Sequence, residues 1–166
     1  MQQHQVRGVE VLAAKESIQV VDVSQLLELT APAETEPSHV EFEMNFQLYG
    51  AITATKAVLP AMQETGAGTL LHTTGAGSIQ PDPRVANVNA AAALRNWAMN
   101  LHQELDGTGI QAAHVAMDSS IGVSVIPGVE AAEPEQIAPL YWELHTTRRA
   151  EAELVFRLDA GGFPRA

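Results

Sequence analysis

The sequence predicts an α/β fold: a parallel sheet with crossover helices. Short β-rich runs alternate along the chain with stretches whose apolar residues recur at helical spacing. The runs are of the buried type, as IQAAHVAM at residues 110–117 illustrates. The helical stretches between them are long enough to pack across parallel neighbours, the condition for right-handed crossovers. A length of 166 residues suits one domain, expected to span 1–166 with loose ends at 1–9 and 158–166.

Val9–Leu12 and Ile18–Val23 are β-rich, and IQVVDV at 18–23 is the stronger strand. TAPAETEP at 30–37 reads as a loop. Ser38 followed by Glu41 has capping-box spacing, so Ser38 is expected to cap a helix. Phe42, Phe46, Tyr49, Ile52, Lys56 and Leu59 carry the helical period behind it. Pro60 should kink this helix or start its last turn, and Gly66-Ala-Gly68 should end it. TLLHTT at 69–74 is a strand, followed by a Gly- and Pro-rich loop over 75–83.

Asn89 can cap a second helix, whose stripe is Leu94, Trp97, Ala98, Leu101 and Leu105. Gly107 and Gly109 stop it before the strand at 110–117. Residues 118–132 read as one long irregular stretch. Pro134 opens a third helix with Ile137, Leu140, Tyr141 and Leu144 on one face, although Pro139 falls inside it. ELVFR at 153–157 is the final strand.

Composition narrows the partners. Apolar residues make up 46% of the chain, enough for a core, and the net charge of −11 disfavours nucleic acid and anionic membrane. There is no cysteine, hence no disulfide, thiol nucleophile or thiolate metal site. No apolar run reaches about 18 residues. MQQHQVRGVE at the start lacks an apolar signal core. The expectation is a cytoplasmic protein.

Residues 41–122 carry a more specific pattern. Asn45-Phe-Gln-Leu-Tyr-Gly50, Ala57-Val-Leu-Pro60-Ala-Met62 and Gly68-Thr-Leu-Leu-His-Thr-Thr74 stand in order. Ala92-Ala-Leu-Arg-Asn-Trp-Ala-Met-Asn-Leu-His-Gln-Glu-Leu105 and Gly109-Ile110 follow. In order and spacing these resemble the middle of a short-chain dehydrogenase/reductase. The resemblance implies a Rossmann-like fold matching the C-terminal part of such an enzyme, with the first βαβ unit missing. It covers about half the chain well and the last helix and strand more loosely.

The family's chemistry transfers only position by position. Its structural-catalytic Asn matches Asn45, and its catalytic Ser matches Thr74. Its Tyr, the proton donor or acceptor, falls on Asn87, and its Lys falls on Ala91. An amide does not titrate, so Asn87 cannot act as a general acid or base. Alanine has no charge to tune a neighbour. The family's nicotinamide-facing Pro-Gly and Thr fall on Met117, Asp118 and Gly122. A TGxxxGxG turn, which seats the cofactor pyrophosphate on a helix N-terminus, does not occur in residues 1–40. Val20–Val23 matches either the strand before the family's Asn-Asn-Ala-Gly turn, with Leu26–Leu29 in that turn's place, which is the favoured match, or the earlier strand ending Asp-Val-Ser.

The resemblance therefore implies an oxidoreductase-like protein impaired in NAD(P)-dependent carbonyl/alcohol redox. No cofactor is expected, and NAD(P) only if the family activity survives. The alternative is a non-catalytic homo-oligomeric scaffold. The family pairs through the helices matching 42–64 and 89–105, which implies a homodimer with Tyr49, Ile52, Val58, Ala90–Ala93, Trp97 and Leu101 at or near the interface.

Other candidates carry weaker chemistry. Gly75-Ala-Gly77 follows a strand as a phosphate-binding turn does, but Ile79 and Pro81 stand where further glycines are needed. Thr74 keeps a hydroxyl that could polarise a carbonyl. Asn45 can hold a structural water. His72, His114 and Asp118 could form a metal or acid–base cluster, but their spacing is not that of metal ligands. Hydrogen-bonded core histidines are the expectation, with no metal.

Overall fold

The computed structural model describes residues 31–81, 89–124 and 130–158. The expected strands at 9–12 and 18–23, the position of Asn87 and the stretches 1–9 and 159–166 lie outside them.

The first helical run comprises α1 (Pro37–Glu43), a π-helical turn over Met44–Tyr49, and α2 (Gly50–Thr65). Glu36 rather than Ser38 is the N-cap, and its N–H donates to His39 Nδ1 at 3.2 Å. The start shifts because Pro37, with φ already set and no N–H to satisfy, suits the first helical position. The wider turn contains Asn45, whose Nδ2 donates to the Glu41 carbonyl at 2.8 Å. Pro60 lies inside α2, and the helix continues to Thr65. Both Pro60 and Lys56, whose carbonyl loses its donor, are exposed, so water can satisfy that carbonyl. Gly66 then ends α2 in the left-handed region, at φ 64°.

Three parallel strands follow, with helices between them. These are β1 (Gly68–Gly75), α3 (Asn89–Glu104), β2 (Ile110–Asp118), α4 (Pro134–Thr146) and β5 (Glu153–Arg157), in sheet order β1-β2-β5. The stretch expected to be irregular contains a small parallel pair, β3 (Ser120–Ile121) with β4 (Ala131–Ala132). Two-residue strands have no period to read, so only tertiary pairing reveals them.

The sheet lies between two helical layers. Leu70, Ile110 and Ala112 pack with Leu101 and Leu105 of α3, with Val58, Leu59 and Met62 of α2 beside them. On the other face, Val115, Met117, Leu154 and Phe156 pack with Ile137, Leu140 and Leu144 of α4. Ile110–Met117 is therefore buried along its whole length, the condition of a central parallel strand. Pro139 is tolerated in α4 because it lies on the exposed side.

Candidate functional site

A line of polar side chains crosses the α3 face of the sheet. Alternation along β1 turns Leu70, His72 and Thr74 inward together. Parallel register sets His72 opposite His114, and His114 opposite Glu153. Thr74 Oγ1 lies 2.8 Å from His114 Nε2, and His114 Nδ1 lies 2.9 Å from Glu153 Oε1. Arg95 of α3 grips the same carboxylate through Nε at 2.5 Å and Nη2 at 2.8 Å. At the other end, Ser78 Oγ is 2.7 Å from Thr74 Oγ1. A contact of 3.1 Å to the Gly75 carbonyl is also open to the Thr74 hydroxyl.

Electrostatics fix the polarity of this line. The Arg95 hydrogen bonds hold the Glu153 carboxyl below its ordinary range. An ionised carboxylate only accepts, so the proton between Glu153 and His114 belongs to His114 Nδ1. Burial lowers the His114 pKa and outweighs the raising effect of Glu153, so the imidazole is neutral near pH 7. Its Nε2 is then a bare acceptor, and the Thr74 hydroxyl donates to it. The Thr74 oxygen is left to accept from Ser78.

His72 and Asp118 stand outside this line. His72 packs edge-on against Trp97, with ring centroids 5.2 Å apart, and its buried Nε2 has no hydrogen-bond partner among the described residues. Asp118 instead pairs with Arg157 at 3.1 Å. Among the described residues, no group of three or more His, Asp or Glu side chains is placed to hold a metal ion.

The positions singled out by the resemblance are only partly brought together. Thr74 joins His114, as above. Asn45 is exposed and bonds back to its own helix, and no hydrogen bond joins it to Thr74. Ala91 is buried in the first turn of α3, and Asn87 lies outside the described residues. Gly75-Ala-Gly77 leads into a single 3₁₀ turn over Ala76–Ser78, not a long helix. Sequence reasoning missed Ser78, Arg95 and Glu153. The available signals were slight: a charged residue beside the apolar stripe of α3 and an acid opening a buried strand.

Solved structures supply the comparison. A short-chain dehydrogenase from Streptomyces avermitilis matches with TM-score 0.65 and 18% identity, over 80% of this chain and 57% of that one. A 3-oxoacyl-[acyl-carrier protein] reductase with bound NAD from Brucella melitensis gives 0.63 and 19%, over 75% and 52%. The fold is that of the short-chain dehydrogenases. A gluconate 5-dehydrogenase from Burkholderia cenocepacia, in complex with NADP and tartrate, agrees at 0.66 and 16%, over 76% and 57%. The chain thus spans little more than half the length of these short-chain dehydrogenase-fold proteins. By sequence, no family model and no curated protein matches.

Among the described residues, those that the resemblance matches to the nicotinamide site differ from the family's. Ala91, which the resemblance matches to the ribose-binding Lys, presents a methyl group that is 5% exposed. The chain's two tyrosines are Tyr49 and Tyr141, and its two lysines are Lys15 and Lys56. None of them repeats the family's Tyr–Lys spacing. Tyr141 bonds Thr73 Oγ1 at 2.6 Å, and burial raises its pKa, the opposite of what a proton-donating phenol near neutral pH needs.

Proposed function

We propose that this chain is a short-chain-dehydrogenase-like protein impaired in NAD(P)-dependent carbonyl/alcohol redox. The buried Ala91 methyl carries the reading. A lysine there would supply both a ribose contact and the charge that activates a tyrosine. Alanine supplies neither. Hydride chemistry belongs to the cofactor, so a chain that cannot seat it cannot borrow that chemistry. Titrating NADPH or NADH into the chain while following nicotinamide fluorescence is expected to give no saturable change. A dissociation constant below about 10 μM, worth about 7 kcal/mol, overturns the reading.

A second reading has its own support. Phe42, Phe46 and Tyr49, spaced four and three residues apart, are 45%, 37% and 50% exposed. They form an apolar stripe on the helical run that resembles the family's pairing helix. A homodimer that covers this stripe makes the chain a non-catalytic scaffold.

A further inference from the structure

The segment that leaves β2 and the helix that follows it enclose a surface groove. β3 pairs with β4 in the register Ser120↔Ala131 and Ile121↔Ala132, which sets Ile121 close to the first turn of α4. Pro134, Ala138 and Tyr141 stand at i, i+4 and i+7 on that helix, so the small Ala138 leaves a depression between two rings. Ile121, Pro134, Ile137, Ala138, Tyr141 and Trp142 line a groove of about 660 Å³, a volume that suits a small molecule. The groove lies just past the C-terminal end of β2, where open α/β sheets receive ligands.

Its walls are open to solvent, since Trp142 is 67% and Ile121 56% exposed. The Tyr141 hydroxyl lies 2.6 Å from Thr73 Oγ1, which anchors that ring. None of the lining side chains carries a charge, but the surroundings do. Residues 118–147 contain five acids and no lysine or arginine. Asp118 is paired with Arg157 and Glu143 with Arg149. Glu130, Glu133 and Glu135 are exposed and pair with no described base. Glu135 shares a stripe with Ala138 and Trp142, at i, i+3 and i+7. Glu133, the N-cap, offsets the positive end of the α4 dipole. An apolar groove with aromatic walls and an acidic rim complements a ligand that is both apolar and positively charged.

We propose that this groove binds a small apolar organic cation, a quaternary or protonated amine with an aromatic or branched body. Trp142 supplies the cation–π partner, Ile121, Pro134 and Ile137 supply apolar contact, and Glu135 supplies the countercharge. The impaired-redox reading rests on Ala91 and does not involve this groove.

The test uses two ions of one shape and opposite charge, tetraphenylphosphonium and tetraphenylborate. Each is titrated into the full chain at pH 8, above the imidazole range, because His145 packs against Trp142 with ring centroids 5.6 Å apart. Calorimetry gives the affinity, and the indole N–H resonance of Trp142 gives the place. The phosphonium is expected to saturate one site, to move that resonance and to bind at least tenfold more tightly than the borate. Added salt weakens it. Trp142→Ala, at an exposed position that should leave circular dichroism unchanged, weakens the phosphonium about tenfold. Glu135→Gln weakens it about threefold and leaves the borate unaffected. Equal affinity for the two ions is plain apolar adsorption and overturns the proposal. So does a phosphonium that leaves the Trp142 resonance in place, or binding indifferent to Trp142→Ala. A Trp142 resonance that moves with protein concentration and not with the cation puts a second copy in the groove, and overturns it too.

Discussion

His114 has a carboxylate 2.9 Å from Nδ1, yet its pKa is lowered, because a side chain with no exposed surface loses more by desolvation than Glu153 returns. His72 is lowered too, first by burial and then by the neighbouring His114. Both titrate at 6.5 when unfolded, so below that pH the unfolded chain binds more protons and stability falls. Glu153 is depressed below 4.5, so its contribution is present above 4.5 and is lost as pH falls through its folded value. Urea midpoints should therefore fall steadily from pH 7 to pH 5, with a slope of up to about 1.4 kcal/mol per pH unit for each histidine. They should fall again in the carboxylate range, and Glu153→Gln should flatten that second limb. A midpoint unchanged between pH 8 and pH 5 would contradict the burial of two neutral histidines.

At the scale of elements, the turn closing α2 meets the turn that opens β2. Gly66 and Gly109 both have positive φ, 64° and 88°. A Cβ on Gly66 meets nothing, whereas one on Gly109 would collide with the Gly66 backbone carbonyl. Gly66→Ala should cost about 1–2 kcal/mol, the left-handed penalty alone. Gly109→Ala carries the same penalty plus a backbone clash that flexible side chains cannot relieve, so it should cost clearly more. Denaturant midpoints of the two variants check this, and equal losses would mean the two turns are not in close approach. The sequence indicated that glycines end these helices, since that depends on local conformation. It did not indicate their contact, since they are 43 positions apart. The same division holds for α3, whose stripe is a local signal, whereas the Arg95–Glu153 pair spans 58 positions.

At the scale of the molecule, the question is which apolar surface stays uncovered. Leu101, expected at a dimer face, is 7% exposed and packs in the core, and Trp97 packs against that cluster. Among the described residues of the helices at 42–64 and 89–105, Phe42, Phe46 and Tyr49 are the exposed large hydrophobics. Light scattering at micromolar concentration should give the mass of two chains, and Phe42→Glu with Phe46→Glu should give one. Those positions are exposed, so the variant should keep its circular dichroism. A net charge of −11 opposes pairing, so lowering ionic strength to about 0.01 M, where the Debye length is about 30 Å, should weaken the dimer. A wild type with the mass of a single chain at every salt concentration rules the dimer out. Among the described residues, no helix is long and apolar enough to cross a membrane.

The sequence by itself determined the strands at 69–74, 110–117 and 153–157, the helices between them and the resemblance that singled out Thr74. Those features rest on local period and spacing. Register decided the rest. Thr74 reaches His114 across 40 positions and His114 reaches Glu153 across 39, and only the pairing of neighbouring strands brings them within hydrogen-bond distance. Burial decided their protonation, because a side chain's exposure depends on which helix covers it. Asn45, matched by the same resemblance as Thr74, stayed apart because its amide is held by its own helix.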